Sequence, residues 1–205
     1  MDHHQFQQKY NIQLNQQQYT AITRTDETTL LLAVPGSGKT TTLVARIGYL
    51  IHHCAVDPQH ILTMTYTKAA TRDMKNRYTS HFGDKNQPGF TTINALCAGI
   101  IRKFEMKTGR SAFTLIHKDN DLTHILRQIH IEHTNEHPNP NTINDLKTQT
   151  TYCKNMMLGD EEIKKIEVDG TDFPVVYQRY QQYKIDNRLM DFDDQLDYAL
   201  RILKK

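Results

Sequence analysis

One stretch limits what this chain can fold into more than any other: Leu30-Leu31-Leu32-Ala33-Val34-Pro35-Gly36-Ser37-Gly38-Lys39-Thr40-Thr41. Thr29–Val34 is a short apolar run closed by turn residues, the pattern of a strand buried on both faces of a parallel sheet. Beyond the turn, Leu43, Ile47, Leu50 and Ile51 recur at helical spacing. The pattern therefore predicts strand, glycine hinge and helix in succession. Gly36 and Gly38 allow the backbone to curl until successive N–H groups converge on an anion. The helix N-terminus adds partial positive charge at the same point. Lys39 offers a mobile ammonium to β- and γ-phosphates, and Thr40 a hydroxyl to Mg²⁺. Ala33 to Thr40 fit the phosphate-loop pattern with Ala in place of its first Gly. A turn that binds nothing is the alternative, but it gives Lys-Thr directly after Gly-Ser-Gly no packing reason. The ligand class is a nucleoside triphosphate. What its energy serves is not written in the loop.

Two further strand–helix units follow. Ile61, Thr63 and Thr65 alternate with Leu62, Met64 and Tyr66, a β-branched strand, and a helix with Ala69, Ala70 and Met74 succeeds it. Gly89 opens a second short strand through Ile93, and Leu96, Ile100, Ile101 and Phe104 make a helical stripe. Repeats of this kind argue a parallel sheet. Ligands of such sheets sit at the C-terminal ends of the strands. Tyr66-Thr67-Lys68 and Thr92-Ile93-Asn94 occupy those ends. An aromatic, hydroxyls, an amide and a lysine on one rim suit a single-stranded nucleic acid, by stacking and phosphate contact. The alternative is a core Tyr66 and an ordinary solvated Lys68. The formal net charge of +2 is too small to argue nucleic-acid binding by itself.

Upstream, Leu14 and Ile22 flank Asn15-Gln16-Gln17-Gln18. Asn15 followed three residues later by Gln18 makes a helix capping box. With the loop and the two rim stretches, this segment resembles the UvrD/Rep/PcrA family of superfamily 1 DNA helicases. "LNQQQ" resembles the family's Q motif, "AVPGSGKT" its motif I, "MTYTKAATRDM" its motif Ia and "TTINALC" its motif Ib. "FTLIHKDNDLTHILRQI" and "VYQRYQQYKIDNRLMDFDDQLDYALRIL" are similar to the start and end of the family's helical insert, so the likeness covers nearly the whole chain.

The resemblance implies ATP with Mg²⁺ as cofactors, Gln18 reading adenine, and Ala33, Val34, Pro35, Gly36, Ser37, Gly38, Lys39, Thr40 and Thr41 around the phosphates. Lys39 and Thr40 are then catalytic, and the Thr40 hydroxyl faces the metal. Tyr66, Thr67, Lys68, Thr92 and Asn94 become contacts to single-stranded DNA beside a duplex junction, with Tyr66 stacking on a base. The implied activity is 3′–5′ unwinding driven by ATP hydrolysis. Three positions depart from the family pattern. Asn94 replaces a usual His, Lys68-Ala69 replaces Asn-Lys, and Thr41 stands where relatives often carry Arg.

The resemblance also implies a fold class: α/β, a RecA-like parallel sheet carrying a mostly helical insert. The expected division is 1–108 for the ATP-binding part, 109–189 for the insert and 190–205 for a return helix. No apolar strand ending Asp-Glu follows, because "GDEEI" at 159–163 lies in a polar helical region. The expectation is a fragment cut before the Walker B strand and lacking its second RecA-like domain. A different phosphate-loop enzyme and a non-catalytic nucleotide- or DNA-binding module are the rival readings.

The insert reads as helices. Leu122, Ile125, Leu126 and Ile129 form one stripe, Ile143, Leu146, Met156 and Met157 suggest more, and Val176, Tyr180, Tyr183 and Lys184 another. Tyr177, Tyr180 and Tyr183 read as interhelical packing. Asp191, Asp193 and Asp194 read as an acidic helix start favoured by its dipole. His130, His133 and His137 recur on one helical face, a conceivable metal set that nothing nearby completes. Cys54, Cys97 and Cys153 lack any CxxC pairing and read as reduced, cytosolic, packed thiols. No run approaches the ~18 apolar residues of a membrane span, and no apolar signal core opens the chain, so a cytoplasmic protein is expected.

Overall fold

The computed structural model describes residues 3–25, 28–111, 113–116 and 119–204. Two compact units divide the chain at Ala95/Leu96.

The first unit opens with helices α1 (His3–Tyr10) and α2 (Gln16–Thr23), and continues with α3 (Lys39–His52), strand β1 (Leu62–Thr65), α4 (Lys68–Phe82) and strand β2 (Gly89–Thr92). β1 and β2 pair in parallel, Leu62 opposite Gly89 and Thr65 opposite Thr92. Parallel pairing demands a crossover, and α4 supplies it. Two apolar clusters hold the unit. Phe6, Ile12, Leu14, Ile22 and Ala45 gather α1, α2 and one side of α3. Val44, Ile47, Ile51, Met74 and Tyr78 join the other side of α3 to α4. Helix α3 is thus buried from two sides, which is why its stripe is wider than the predicted Leu43/Ile47/Leu50/Ile51. Leu43 itself is exposed. A Cβ at Gly48 would fall inside the Phe82 ring, so glycine there sets how closely α4 meets α3.

The predicted strand over Thr29–Val34 is not formed. Residues 28–34 carry no strand assignment, and β1 and β2 make a two-stranded sheet without them. Leu30, Leu32 and Val34 are 80%, 82% and 70% exposed. A strand exists through its ladder, and apolar residues alone do not supply one.

The second unit carries most of α5 (Ile93–Thr108), then β3 (Thr114–Leu115), α6 (Asp119–Thr134), α7 (Pro140–Asn155), the single turn α8 (Asp160–Ile163), α9 (Phe173–Asp186), β4 (Leu189–Met190) and α10 (Phe192–Leu203). Its main core packs α6, α7 and α9 through Leu126, Ile129, Leu146, Phe173, Val176 and Tyr180. A smaller one joins α5, β4 and α10 through Cys97, Ile101, Met190 and Ala199. β3 and β4 pair in parallel. Tyr177 and Tyr183 pack against the main core, as their spacing suggests.

Three expectations need correction here. Met156 and Met157 lie past the end of α7 and are exposed, because Met157 turns the chain with a left-handed φ of 52°. His137 lies beyond α6, so the three histidines do not share a helix face. Cys54 is exposed, whereas Cys97 and Cys153 are buried. Among the described residues no helix is long and apolar enough to cross a membrane.

Candidate functional site

The glycine hinge forms a tight loop closed by its own side chains. Gly36 and Gly38 adopt φ of +79° and +82°, the left-handed region that a Cβ disfavours. The Ser37 hydroxyl donates to the Val34 carbonyl at 2.7 Å. Lys39 Nζ donates to the carbonyls of Ala33 at 3.0 Å and Val34 at 2.8 Å, so the ammonium lies back across the loop that precedes it. Gly38 caps α3 without a side chain. The first-turn amides of a helix have no intrahelical acceptor, and a glycine cap offers them none. Thr40 and Thr41, half-buried, stand on that turn. Two glycines at positive φ, an uncapped helix N-terminus and one lysine thus share one loop, the types of donor that phosphate oxygens require.

Gln18 reaches this loop from another helix. Its capping box is formed: Asn15 Oδ1 accepts from the Gln18 N–H at 2.8 Å, and Gln18 Oε1 accepts from the Asn15 N–H at 2.9 Å. The same side chain then donates from Nε2 to the Ser37 carbonyl at 3.0 Å. Capping and loop contact are therefore simultaneous. An amide oxygen carries two lone pairs and an amide nitrogen two hydrogens. Each end of Gln18 spends one and keeps one, and a donor–acceptor pair of this kind matches the N6/N7 edge of adenine. Arg46 was missed by sequence reasoning. Its guanidinium donates to the Ala21 carbonyl at 2.6 Å and fastens the end of α2 to α3. The signal was there, a charge set between the apolar residues Ala45 and Ile47.

The strand ends form a second group. The β1–β2 register places Thr65 beside Thr92, so both strands finish at one level. Tyr66 is 90% exposed, which excludes the core reading. Thr67 caps α4, its hydroxyl accepting from Ala70 N–H at 3.1 Å. Thr92 is buried and its hydroxyl accepts from Ala95 N–H at 3.1 Å. Lys68 and Asn94 are exposed. The rim's outward equipment is Tyr66, Lys68 and Asn94, while both threonines hold helix starts. The structure brings Gln18 to the loop and Tyr66 to the rim. Among the described residues no hydrogen bond joins the two groups.

The acidic triplet proves more than a helix start. Asp191 caps α10 and Asp194 completes the box. In addition, Lys184 Nζ lies 2.6 Å from Asp191 Oδ2 and 2.5 Å from Asp194 Oδ2, and Lys154 Nζ 2.7 Å from Asp194 Oδ1. Tyr180 donates to Asp191 Oδ2 at 2.9 Å, beneath the Lys184 ammonium. Burial pushes the Asp194 carboxyl up, but Lys184 and Lys154 outweigh it and hold it below the ordinary carboxylate range. Burial and then Asp191 push Asp193 up. Lys184 falls on the stripe Phe173/Val176/Tyr180/Lys184, and a lysine in a buried stripe is the sign that a carboxylate must meet it.

These elements define the class: a mixed α/β chain with small parallel sheets and a phosphate-type loop at the head of a helix. Residues 14–205 match the UvrD/REP helicase N-terminal domain, and the chain belongs to that family. It is 29% identical over 205 residues to a probable DNA helicase II homolog of Mycoplasma capricolum subsp. capricolum, covering 94% of this chain and 27% of the relative. It is 30% identical over 199 residues to the ATP-dependent DNA helicase PcrA of Bacillus subtilis, covering 94% and 26%. To the ATP-dependent DNA helicase Rep of Buchnera aphidicola it is 28% identical over 196 residues, covering 93% and 30%. The chain thus spans less than a third of the length of these relatives.

Proposed function

We propose that this chain is the ATP-binding and single-stranded-DNA-contacting part of an ATP-dependent 3′–5′ DNA helicase. The observation that carries the proposal is the Gln18–Ser37 hydrogen bond, which holds an amide with a spare donor and a spare acceptor against the glycine loop. Family membership supports it, as do the names of the relatives, two of them ATP-dependent DNA helicases.

Residues Ala33 to Thr41 fit Mg·ATP on the chemistry of their donors. A Cβ at Gly36 would meet nothing within 4 Å, so the loop's outer side is open to a ligand. In the proposed site Lys39 exchanges its two carbonyl partners for phosphate oxygens, and the Thr40 hydroxyl faces the metal. Bound Mg·ATP supplies the phosphoryl group whose hydrolysis drives movement. This chain's own residues bind it, orient it and read its base through Gln18. Tyr66 stacks on a DNA base, Lys68 meets a phosphate and Asn94 offers its amide beside them, while Thr67 and Thr92 hold the helix starts behind this rim.

The same reading takes the fold as a RecA-like domain over 1–108, a helical insert over 109–189 and a return helix over 190–205. Its partners are single-stranded DNA at a duplex junction and a second RecA-like domain, and its compartment is the cytoplasm. A fluorescent ATP analogue tests the proposal. Binding should need Mg²⁺, be competed by ATP better than by GTP, and be lost in Lys39→Ala. Equal competition by GTP, or unchanged binding by Lys39→Ala, would overturn it.

A further inference from the structure

Helix α2 is a slight element to carry a side chain that must point accurately. It has eight residues, and Ile22 is its one buried residue. Helices this short do not persist alone in water. Apolar burial is non-directional, so it does not by itself fix how α2 slides or turns on α3. Two directional bonds do. Near the start of α2, Gln18 Nε2 donates to the Ser37 carbonyl at 3.0 Å. Near its end, the Ala21 carbonyl accepts from the Arg46 guanidinium at 2.6 Å.

The second bond is placed to act on the first. Ala21 lies in the last turn of α2, where carbonyls lack an intrahelical donor. The Thr20 carbonyl is met by the Arg24 N–H, and Arg46 meets that of Ala21, its positive charge favoured at the negative end of the helix. Arg46 is anchored firmly: it is half-buried on α3 between Ala45 and Ile47, both buried. It stands about two turns beyond Lys39, on the helix that the glycine loop heads. Ser37 and Arg46 therefore clamp α2 from two points of one rigid piece. The fit at the loop is close, since a Cβ at Gly38 would lie 2.9 Å from Gln18 Nε2. A small slide of α2 would break the Ser37 bond or drive the amide into the loop.

We propose that Arg46 is a positioning residue for base recognition: by holding the Ala21 carbonyl it sets the register of α2 on α3, and so the direction in which Gln18 presents its spare donor and acceptor to adenine. The proposal rests on the reading of Gln18 as the base contact. Arg46 touches neither base nor phosphate in this scheme. Its loss acts on base discrimination and leaves the phosphate-holding donors of the loop in place.

The test uses the 205-residue chain and competes a fluorescent ATP analogue with ATP, GTP and inorganic tripolyphosphate, each with Mg²⁺. Tripolyphosphate has no base and reports the loop alone. Arg46→Met keeps much of the stem and removes the donors. It should bind ATP about tenfold more weakly, the worth of one or two hydrogen bonds, and tripolyphosphate within about twofold of wild type. Its preference for ATP over GTP should fall with the ATP affinity. Arg46→Lys keeps the charge without the fork, should show the same split more weakly, and carries the comparison if Arg46→Met loses its folded circular dichroism spectrum. Adding Gln18→Ala to the Arg46 variant should cost little further ATP affinity, because both changes act through one amide. In the nucleotide-free, ¹⁵N-labelled chain the Gln18 side-chain amide should shift when Arg46 is replaced. The proposal is overturned if ATP and tripolyphosphate weaken by the same factor, if ATP binds as in wild type, if the effects of the two substitutions multiply, or if the Gln18 amide does not move. Equal competition by ATP and GTP in wild type would overturn it through the base reading instead, and a Gln18 amide that still moves would tell that failure apart.

Discussion

The side-chain amide of Gln18 lies 3.0 Å from the main-chain carbonyl of Ser37, nineteen residues away, while its oxygen caps the helix that carries it. One residue therefore ties the start of α2 to the curl of the phosphate loop. Gln18→Ala should lose both functions, with ~1 kcal/mol of stability from the cap and a fall in ATP affinity. Gln18→Glu keeps an acceptor for the Asn15 N–H but presents an acid to the Ser37 carbonyl. It should retain most of the stability and still lose ATP affinity. Chemical denaturation and nucleotide titration of the two variants check the split. Loss of stability with unchanged affinity in Gln18→Ala would reduce Gln18 to a cap.

Gly36 and Gly38 share nearly the same φ but not the same surroundings. A Cβ at Gly38 would lie 2.9 Å from Gln18 Nε2, whereas one at Gly36 meets nothing within 4 Å. Gly36→Ala should cost ~1–2 kcal/mol, the penalty of a left-handed residue. Gly38→Ala should cost more, and adding Gln18→Ala should recover the excess. A double-mutant cycle measured by thermal unfolding reads the recovery, and strict additivity would contradict the contact.

The Lys184–Asp191–Asp194 cluster should make the second unit sensitive to acid. Asp194 is held below its unfolded value. It therefore contributes stability that is complete above the ordinary carboxylate range and is lost as pH falls through its lowered value. Asp193, pushed up, acts in the opposite direction and softens the slope. Lys184→Met removes the cation from a buried carboxylate pair and should cost ~3–5 kcal/mol at neutral pH. Its stability should also vary less steeply with pH in acid. Urea unfolding at several pH values measures both, and an unchanged slope in Lys184→Met would rule out the coupling.

Tyr66 protrudes and its ring holds nothing together, so Tyr66→Ala should leave thermal stability unchanged. Single-stranded DNA should bind more weakly by roughly 1–3 kcal/mol, with little sequence dependence. Lys68→Ala should instead lower the slope of log affinity against log salt by about 0.7, one phosphate contact's worth. Anisotropy of a labelled oligonucleotide at several salt concentrations distinguishes them. Wild-type binding by Tyr66→Ala would move the DNA face elsewhere.

Local periodicity revealed what local physics decides. Helices α3, α4, α9 and α10 and strands β1 and β2 were legible because each has its own stripe, cap or alternation within one short window. The tight loop at the head of α3 was legible because Gly36 and Gly38 are the residues that take positive φ most readily. The run over Thr29–Val34 misled because apolar residues license a strand but cannot supply its neighbour. Gln18 posed a choice between cap and base reader; the structure forms the cap and leaves one donor and one acceptor of the amide unspent. The partners of Arg46, Lys154 and Lys184 were not legible for a common reason. Each side chain is defined by a partner on another element, the Ala21 carbonyl or the aspartates of α10, and no one-dimensional pattern carries that partner.

The parallel pairing of β1 with β2 also orders events in time. Two strands joined by a hairpin can zip from their turn, but here every rung from Leu62–Gly89 to Thr65–Thr92 spans the whole of α4. Closing the ladder means closing the loop that holds that helix, which packs through Met74 and Tyr78 on α3. Loop-closure entropy is spent before any rung repays it. The strand amides and the α4 amides are therefore expected to become protected from hydrogen exchange together, as one late cooperative step. The rim that carries Tyr66 would be among the last parts of the first unit to take shape and the first to open.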